Sequence, residues 1–324
     1  MRLTNGLRMI FIFSAPRSGS TWLGKIFDSH PDVLYLHEPD IPDRGLDRLP
    51  IWFENEPKGE HIEAARAYLR RLTAARTPRA TGARPFFRKS YRSPGAETCR
   101  RALVYLTKAS ERVIGAHVTE RLRIPDLNDR GHPAVCVIKS VSALGRVDVF
   151  IKASDGAMRP ILLIRHPCGY VSSMLRGDTI GMMKAVPSLG RLAHTRSAAE
   201  LGVSALALSA TDQPERLAWN WLLSNAEAYT AIRAAGGTII VYDSFANRAI
   251  AETKALFEQV GLSWRPETER FLLHSTVSEG GYYSVSRDPT KAINRWRRDL
   301  GDDTVARVRA IVTRHEIGQM FFDN

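Results

Sequence analysis

Residues 9–29 read as a short apolar run, then a turn of small residues, then an amphipathic helical pattern. The run MIFIF is rich in Ile and Phe and too short for a helix, so it predicts a buried strand. The turn SAPRSGS follows, and a helix is predicted over 18–29, ending before Pro31. A strand that passes through a small-residue turn into a helix is the repeating unit of a parallel α/β sheet.

The same alternation continues along the chain. Further strands are predicted over 33–37, 134–139, 161–165 and 238–242. Further helices are predicted over 168–176, 213–235, 247–260 and 302–315. The strands are apolar without strict alternation, which is typical of strands that are buried on both faces. We therefore predict an α/β fold in one domain spanning 1–324: a P-loop-like, doubly wound parallel sheet flanked by helices.

Two stretches depart from this alternation. Residues 41–130 are rich in arginine and predict a mostly helical, basic insertion. Residues 177–212 are rich in Gly, Met, Ser and Ala and predict a flexible excursion. Insertions that follow the strands of such a sheet lie near its carboxyl edge, where ligands bind, so we expect both stretches to shape a substrate cleft.

Positive charge is concentrated in the insertion. The chain carries a net charge of +12, and residues 58–101 hold twelve Lys or Arg against three acids. This block indicates either an anionic partner or a solvated helical face. No nucleic-acid-binding motif accompanies the charge, so nucleic acid is not an expected partner.

The composition also bears on location and metal content. No run approaches the ~18 apolar residues that a membrane-spanning helix needs, and the apolar run at 9–13 is too short for a signal peptide. We expect a cytoplasmic protein without a transmembrane segment. Cys99, Cys136 and Cys168 lack metal-ligand spacing, and the last two lie in apolar runs, so we expect no metal site and two buried thiols.

The turn after the first strand has the chemistry of an anion site. The first amides of a helix have no partner within it, and the helix dipole adds partial positive charge there. Ser18, Gly19, Ser20 and Thr21 supply those amides, and their hydroxyls add donors. Arg17 places a permanent cation beside them.

This turn differs from the loop that binds nucleoside triphosphates. That loop reads G-x-x-x-x-G-K-[ST]. When Gly19 and Thr21 are aligned with it, Ser14 replaces the first glycine and Ser20 replaces the lysine that holds a γ-phosphate. The turn therefore favours anion binding over chemistry with ATP or GTP.

Residues 14–23, SAPRSGSTWL, and 28–39, DSHPDVLYLHEP, resemble the 5′-phosphosulfate loop and following segment of sulfotransferases that use 3′-phosphoadenosine 5′-phosphosulfate (PAPS). The likeness is strongest to the carbohydrate sulfotransferase branch. In that family the cation precedes the glycine, as Arg17 does. The resemblance implies PAPS as co-substrate, PAP (adenosine 3′,5′-bisphosphate) as product and no metal. It also implies that Trp22 stacks on adenine, although its apolar neighbours equally favour core packing.

A second segment, residues 161–173, resembles the strand–turn–helix with which the family binds the 3′-phosphate. By that resemblance the ligands are Arg165 and Ser173, with Ser172 the less favoured neighbour. Residues 286–297 resemble the basic segment that closes over the nucleotide, which makes Arg287 and Lys291 candidates for the 3′-phosphate. A solvated charge run is the alternative for these two.

The resemblance also bears on the base that takes the acceptor's proton. Many soluble aryl and alcohol sulfotransferases use the histidine of a K-T-H segment, but here Lys139 is present and Val141 replaces the histidine. Glu38 matches the glutamate of the carbohydrate branch and is favoured over His37, which strand alternation sends to the opposite face if the strand continues. Each charged group has a structural alternative: Glu38 in an ion pair with an arginine, Lys139 in an ion pair closing its strand.

The resemblance thus implies a sulfotransferase that moves a sulfuryl group from PAPS to an acceptor hydroxyl, on a carbohydrate or glycolipid, by in-line displacement. Glu38 is the expected base, and Arg17 and Lys139 stabilise the leaving group. Two other functions stay open: a P-loop kinase of small molecules, and a non-catalytic module that binds PAP or an anionic glycan.

Overall fold

The structure, a computed structural model, describes residues 8–40, 49–119, 122–181, 189–275 and 292–322. Five parallel strands form one sheet in the order β2-β3-β1-β4-β5. The strands are β1 (Arg8–Ser14), β2 (Val33–His37), β3 (Val135–Ser140), β4 (Met158–Ile164) and β5 (Thr238–Val241). They confirm the five predicted strands, with small shifts at their ends. Because β1 is central and the chain changes sides between β3 and β4, the sheet has its switch point where these three strands end.

Helices connect the strands on both faces. The described helices are α1 (Ser20–Ser29), α2 (Gly59–Thr73), α3 (Pro78–Thr81), α4 (Pro94–Ile114), α5 (Ala116–Thr119), α6 (Val147–Ala153), α7 (Pro167–Thr179), α8 (Arg196–Glu200), α9 (Ala205–Ser209), α10 (Gln213–Ala234), α11 (Tyr242–Asn247), α12 (Ala249–Gln259), α13 (Pro266–Ser275), α14 (Trp296–Asp299), α15 (Asp302–Val312) and α16 (Glu316–Gln319). Short 3₁₀ turns lie at Leu144–Arg146 and Leu192–His194.

The sheet is apolar on both faces, as its sequence predicts. In β1, Phe11 and Phe13 stack with ring centroids 4.3 Å apart and belong to the core formed with α2, α6 and α10. Ile10 and Ile12 belong to the opposite core, which packs against α1, α12 and α13. Since successive side chains of a strand alternate between faces, this one apolar run supplies both cores.

One predicted helix is confirmed, and one predicted segment differs in form from the structure. The helix predicted over 247–260 is α12 (Ala249–Gln259), which Arg248 (φ −129°) separates from the short preceding helix α11. The described part of the predicted flexible excursion, 177–181 and 189–212, contains the end of α7, a 3₁₀ turn and the short helices α8 and α9. Its Leu192 and Leu208 are buried in the main core, so this part packs as core.

The described part of the basic insertion is largely helical, which confirms that prediction. Helix α2 buries Tyr68 and Leu69 against the main core, while α3 packs beside the end of β2. Cys136 and Cys168 are buried, as expected, and Cys99 is exposed. Within the described ranges no helix combines the length and apolarity that crossing a membrane requires.

Candidate active site

The loop between β1 and α1 lies at the carboxyl edge of the sheet, beside its switch point. Arg17 (φ 66°) and Gly19 (φ 86°) both have left-handed backbone conformations. A Cβ on Gly19 would lie 2.2 Å from a ring carbon of Tyr242, so both φ and space require glycine there. The left-handed conformation of Arg17 is uncommon for a residue with a side chain and is typical of functional sites.

Two hydroxyls of this loop are buried without partners. Ser14 and Ser18 are almost fully buried, and neither Oγ forms a hydrogen bond with any residue that the structure describes. Buried polar groups normally have partners, and a hydroxyl left without one loses hydration energy. The two hydroxyls and the N-terminal amides of α1 therefore fit a bound anion.

The second predicted phosphate-binding segment packs directly against the loop. Arg165 Nη1 donates to the carbonyl oxygen of Arg17 at 2.9 Å, and Arg17 Nε donates to Ser173 Oγ at 3.2 Å. The structure thus brings together three predicted ligands that lie about 150 residues apart in the chain. Ser172 instead donates to Asp299 at 2.8 Å, which supports Ser173 as the member of this serine pair that faces the loop.

Arg165 is held firmly in place. Its Nη2 donates to the carbonyl oxygen of Ala292 at 2.8 Å, and its own carbonyl oxygen accepts the indole N–H of Trp221 at 3.0 Å. Its guanidinium lies 5.7 Å from the ring centroid of Tyr242, within the range of a cation–π interaction. A Cβ on Gly169 would lie 3.0 Å from Arg165 Nε, so a larger residue there would press on the guanidinium.

Glu38 lies immediately after β2, among three basic side chains. Its Oε1 accepts a hydrogen bond from Lys139 Nζ, and its Oε2 accepts one from Arg79 Nη2 at 3.2 Å. His37 Nε2 lies 4.0 Å from the same Oε2. Lys139 comes from the end of β3, where it is paired with His37 in the sheet, and Arg79 comes from α3 of the insertion. The carboxylate is thus bound by the predicted lysine and by an arginine that the sequence did not single out.

The condition under which His37 and Glu38 would point to opposite faces is not met. Alternation holds only while the strand continues, and β2 ends at His37. Glu38 has a left-handed conformation (φ 46°), and its N–H donates to the carbonyl oxygen of Lys139 at 2.8 Å. This turn directs the carboxylate back towards Lys139 and His37, so that all three groups form one cluster.

The cluster sets the protonation states of its members. Burial by itself raises the pKa of Glu38, but the charge of Lys139 and the hydrogen bonds from Lys139 and Arg79 outweigh it and lower the pKa to about 2. Burial, together with the charge of Lys139, lowers the pKa of His37 to about 3. At neutral pH Glu38 is therefore ionised and His37 is neutral, with Nδ1 3.0 Å from the hydroxyl of Tyr35.

Asp40 is a second carboxylate at this edge, which sequence reasoning missed. It is buried, and its Oδ2 accepts a hydrogen bond from Ser140 Oγ at 2.5 Å. Its Oδ1 accepts none from the described part of the chain. Burial raises the pKa of Asp40, opposite to the shift of Glu38. The available signal was its position two residues after Glu38, at the end of the same strand.

Of the three other predicted nucleotide ligands, the structure describes one and leaves two outside the described residues. Trp22 is buried in the core, where its indole N–H donates to Ser275 Oγ at 3.0 Å and its ring packs edge-on against Phe245. These contacts favour the core-packing alternative. Arg287 and Lys291 lie outside the described residues. Among the residues that are described, no group of three His, Cys, Asp or Glu side chains is arranged to hold a metal ion.

Comparison with known proteins identifies the family. A model of the sulfotransferase family matches residues 9–266, which is more than half of the chain. No curated protein sequence matches the chain significantly.

Several solved structures are similar over most of their length at low sequence identity. The sulfotransferase domain from the curacin biosynthetic pathway is 15% identical, with 95% of this chain and 98% of that chain covered and a TM-score of 0.44. A sulfotransferase from Alicyclobacillus acidocaldarius is 13% identical, with 96% and 98% covered and a TM-score of 0.40. Sulfotransferase STF9 from Mycobacterium avium is 14% identical, with 92% and 78% covered and a TM-score of 0.42. Since the family model spans the loop, the Glu38 cluster and the Arg165 segment together, the chain belongs to the sulfotransferase family.

Proposed function

We propose that the protein transfers the sulfuryl group of PAPS to an acceptor hydroxyl, with Glu38 as general base. The observation that carries this proposal is the convergence of Arg17, Arg165 and Ser173 at a loop whose buried Ser14 and Ser18 hydroxyls lack partners among the described residues. A cationic site of this kind fits a nucleotide with anionic groups at both ends of its ribose. Membership of the family supports sulfuryl transfer in general.

The two ends of the nucleotide are assigned to different residues. Ser18, Gly19, Ser20 and Thr21 bind the 5′-phosphosulfate through backbone amides and hydroxyls, with Arg17 as the adjacent cation. Arg165 and Ser173 bind the 3′-phosphate, and Arg287 and Lys291 are proposed to join them there. The position that holds the lysine of a triphosphate-binding loop is Ser20 in this chain, which disfavours a kinase.

PAPS supplies an activated sulfuryl group joined to a phosphate leaving group. Glu38 accepts the proton of the acceptor hydroxyl, whose oxygen forms a bond to sulfur while the bond from sulfur to the phosphate oxygen breaks. Arg17, Lys139 and the loop amides stabilise the negative charge that develops on the leaving oxygen. Holding both reactants in line supplies a further part of the rate enhancement.

Lys139 connects the donor site with the base. Its backbone is paired with Ile12 of β1, two residues before the loop begins, and its ammonium binds Glu38. An anion at the loop competes with Glu38 for that ammonium. As Lys139 shifts towards the anion, the carboxylate loses the charge that lowers its pKa and becomes a stronger base. Donor binding thereby activates Glu38.

The acceptor is proposed to be a carbohydrate or glycolipid hydroxyl. The E-P pair at Glu38 resembles the carbohydrate branch, and Arg79 of the basic insertion reaches the Glu38 carboxylate. The insertion therefore stands next to the base and lines the side from which the acceptor approaches. Its cationic surface would favour an acceptor that carries negative charge.

Transfer from ³⁵S-labelled PAPS to a panel of sugars, sulfated sugars and glycolipids tests the proposal. We expect labelled product with at least one sugar hydroxyl, and calorimetry to show binding of PAP without magnesium. Magnesium-dependent binding of ATP in place of PAP would favour the kinase instead. Tight PAP binding with no transfer to any acceptor would favour the non-catalytic module.

Replacing Arg79 is expected to change the pH dependence of the reaction. Glu38 must be ionised to accept a proton, and Arg79 helps to hold its pKa near 2. In Arg79→Gln the pKa of Glu38 rises, so the acidic limb of the kcat/KM profile moves to higher pH. Profiles of kcat/KM for the acceptor, measured at saturating PAPS and extended down to pH 3, compare this variant with Arg88→Gln, which alters an exposed arginine of the same insertion. Coincident acidic limbs in both variants would contradict this role of Arg79.

A further inference from the structure

A small cavity lies between α1, β2 and the insertion, apart from the donor loop. Its volume is about 30 Å³, which is room for a water-sized or slightly larger guest. Its lining includes six charged side chains: Lys25, Asp28, Lys89, Arg92, Glu97 and Arg100. All six are buried, with Arg100 only 5% exposed.

The charges around this cavity do not balance. Four of the six residues are cations and two are acids, so the lining has an excess of two positive charges. Both acids are already shared. Asp28 pairs with Lys25 at 2.6 Å and Lys89 at 2.9 Å, and Glu97 pairs with Arg92 at 3.0 Å and, outside the lining, with Arg101 at 3.1 Å. Buried charge without a counter-charge is strongly unfavourable.

Arg100 is the cation with the fewest partners in this cluster. Its Nη2 donates to the carbonyl oxygen of Thr81 at 3.2 Å, whereas its buried Nε donates to no described residue. Nor does it form an ion pair with any acid in the described ranges. Burial lowers its pKa, yet arginine keeps its proton in proteins. Its planar fork of N–H donors therefore lines the cavity without a direct ion pair to any acid among the described residues.

We propose that this cavity binds a small anion, with Arg100 as the principal donor. The chemistry suits a halide or a tetrahedral oxyanion such as sulfate. That anion has two possible sources: free in solution, or the charged group of an acceptor that enters from the Glu38 side. The second source is considered because the two sites are neighbours: Tyr35 lines the cavity, and its hydroxyl contacts His37 of the Glu38 cluster. The site does not depend on the proposed sulfuryl transfer.

Thermal unfolding in sodium bromide and in sodium gluconate, at equal ionic strength, tests the site. Anion binding to the folded state should raise the Tm of the wild type by about 2 °C or more in bromide. Arg100→Gln should lose that rise, and in gluconate it should be at least as stable as the wild type, because it removes a buried charge that lacks a counter-ion. Arg88→Gln, the exposed control, should keep the rise, and Arg17→Ala, which removes the loop cation, should lose only the part that anion binding at the loop contributes.

An equal loss of Tm in both salts for Arg100→Gln would mean that Arg100 only packs, and would overturn the proposal. The absence of any bromide-dependent rise in the wild type would do the same. Crystals of the wild-type protein soaked in sodium bromide provide a measurement that does not rely on the variant folding. We expect an anomalous peak beside the Arg100 guanidinium, and peaks confined to the donor loop would contradict the site.

Glucose 6-sulfate, inorganic sulfate and glucose distinguish the two sources. If glucose 6-sulfate raises the Tm through Arg100 and bromide competes with it, the cavity receives the charged group of a larger ligand. If inorganic sulfate acts through Arg100 and glucose 6-sulfate does not, the anion is free. Both outcomes support an anion site. Glucose is the uncharged control. If bromide, inorganic sulfate and glucose 6-sulfate all fail to act through Arg100, the anion site is overturned, whatever the transfer assay shows.

Discussion

Glu38→Gln is expected to lower kcat by at least ~10²-fold, the range typical of losing a general base, while PAP binding is kept or becomes tighter, because the carboxylate charge no longer competes for Lys139. The amide keeps the shape of the side chain but cannot accept the hydroxyl proton. Glu38 contacts Lys139 and Arg79, whereas Arg17 of the loop contacts Ser173 of α7. Single-turnover transfer measures the rate, and calorimetry with PAP measures the affinity. Retained turnover would show that Glu38 is not the base.

Asp40→Asn is the matched variant, because Asp40 is the other buried carboxylate at the end of β2. Its raised pKa makes it the stronger base of the two in the unliganded protein, whereas Glu38 is held ionised by Lys139. If Glu38 is the base, Asp40→Asn should retain most of the activity. A loss confined to Asp40→Asn would assign the proton to Asp40, and Glu38 would then serve to position Lys139.

Arg165→Ala is expected to weaken PAP binding about 10- to 100-fold more than it weakens binding of adenosine 5′-phosphosulfate. A hydrogen bond to a charged group contributes ~1.5–3 kcal/mol, and each 1.4 kcal/mol changes affinity tenfold. Adenosine 5′-phosphosulfate lacks the 3′-phosphate, so the ratio of the two losses isolates that contact. This matters because Arg165 also supports the backbone of Arg17, and its removal can disturb the loop for both nucleotides. Equal losses would contradict the 3′-phosphate assignment.

Two neighbouring serines provide the control for that experiment. Ser173 faces Arg17, whereas Ser172 donates to Asp299. Ser173→Ala should weaken PAP binding in the same selective manner as Arg165→Ala, with a smaller effect because a hydroxyl carries no charge. Ser172→Ala should leave the ratio of the two affinities unchanged. Reversed effects would place the phosphate against the other serine.

The strands, and the edge of the sheet at which Glu38 and Lys139 lie, could be predicted from the sequence for a physical reason. Parallel strands that are buried on both faces must be apolar throughout, so each run marks its strand directly. The carboxyl ends of such strands meet at one edge, which brings Glu38 after β2 close to Lys139 near the end of β3. The anion-binding loop could also be predicted, because all of its hydrogen-bond donors belong to one continuous strand–turn–helix unit.

Other features depend on tertiary contacts that no local pattern encodes. Arg79 reaches Glu38 only because α3 packs beside the end of β2, and the insertion contains many other arginines. The orientation of Glu38 relative to His37 depends on where β2 ends, and the left-handed turn at Glu38 breaks the alternation there. Asp40 was missed because burial, which raises its pKa, is a property of the folded chain.

The contact of Arg165 with Arg17 joins residues that are 148 positions apart, and that of Trp22 with Ser275 joins residues 253 apart. Bringing such distant segments together costs chain entropy that the contacts of the folded state must offset. The donor site exists only where β1 and β4 are paired, because that pairing places the loop beside Arg165. A nucleotide that requires Arg17 and Arg165 together cannot bind the unfolded chain, and it selects molecules in which folding is complete. Donor supply during synthesis would then increase the yield of native protein as well as feed the reaction.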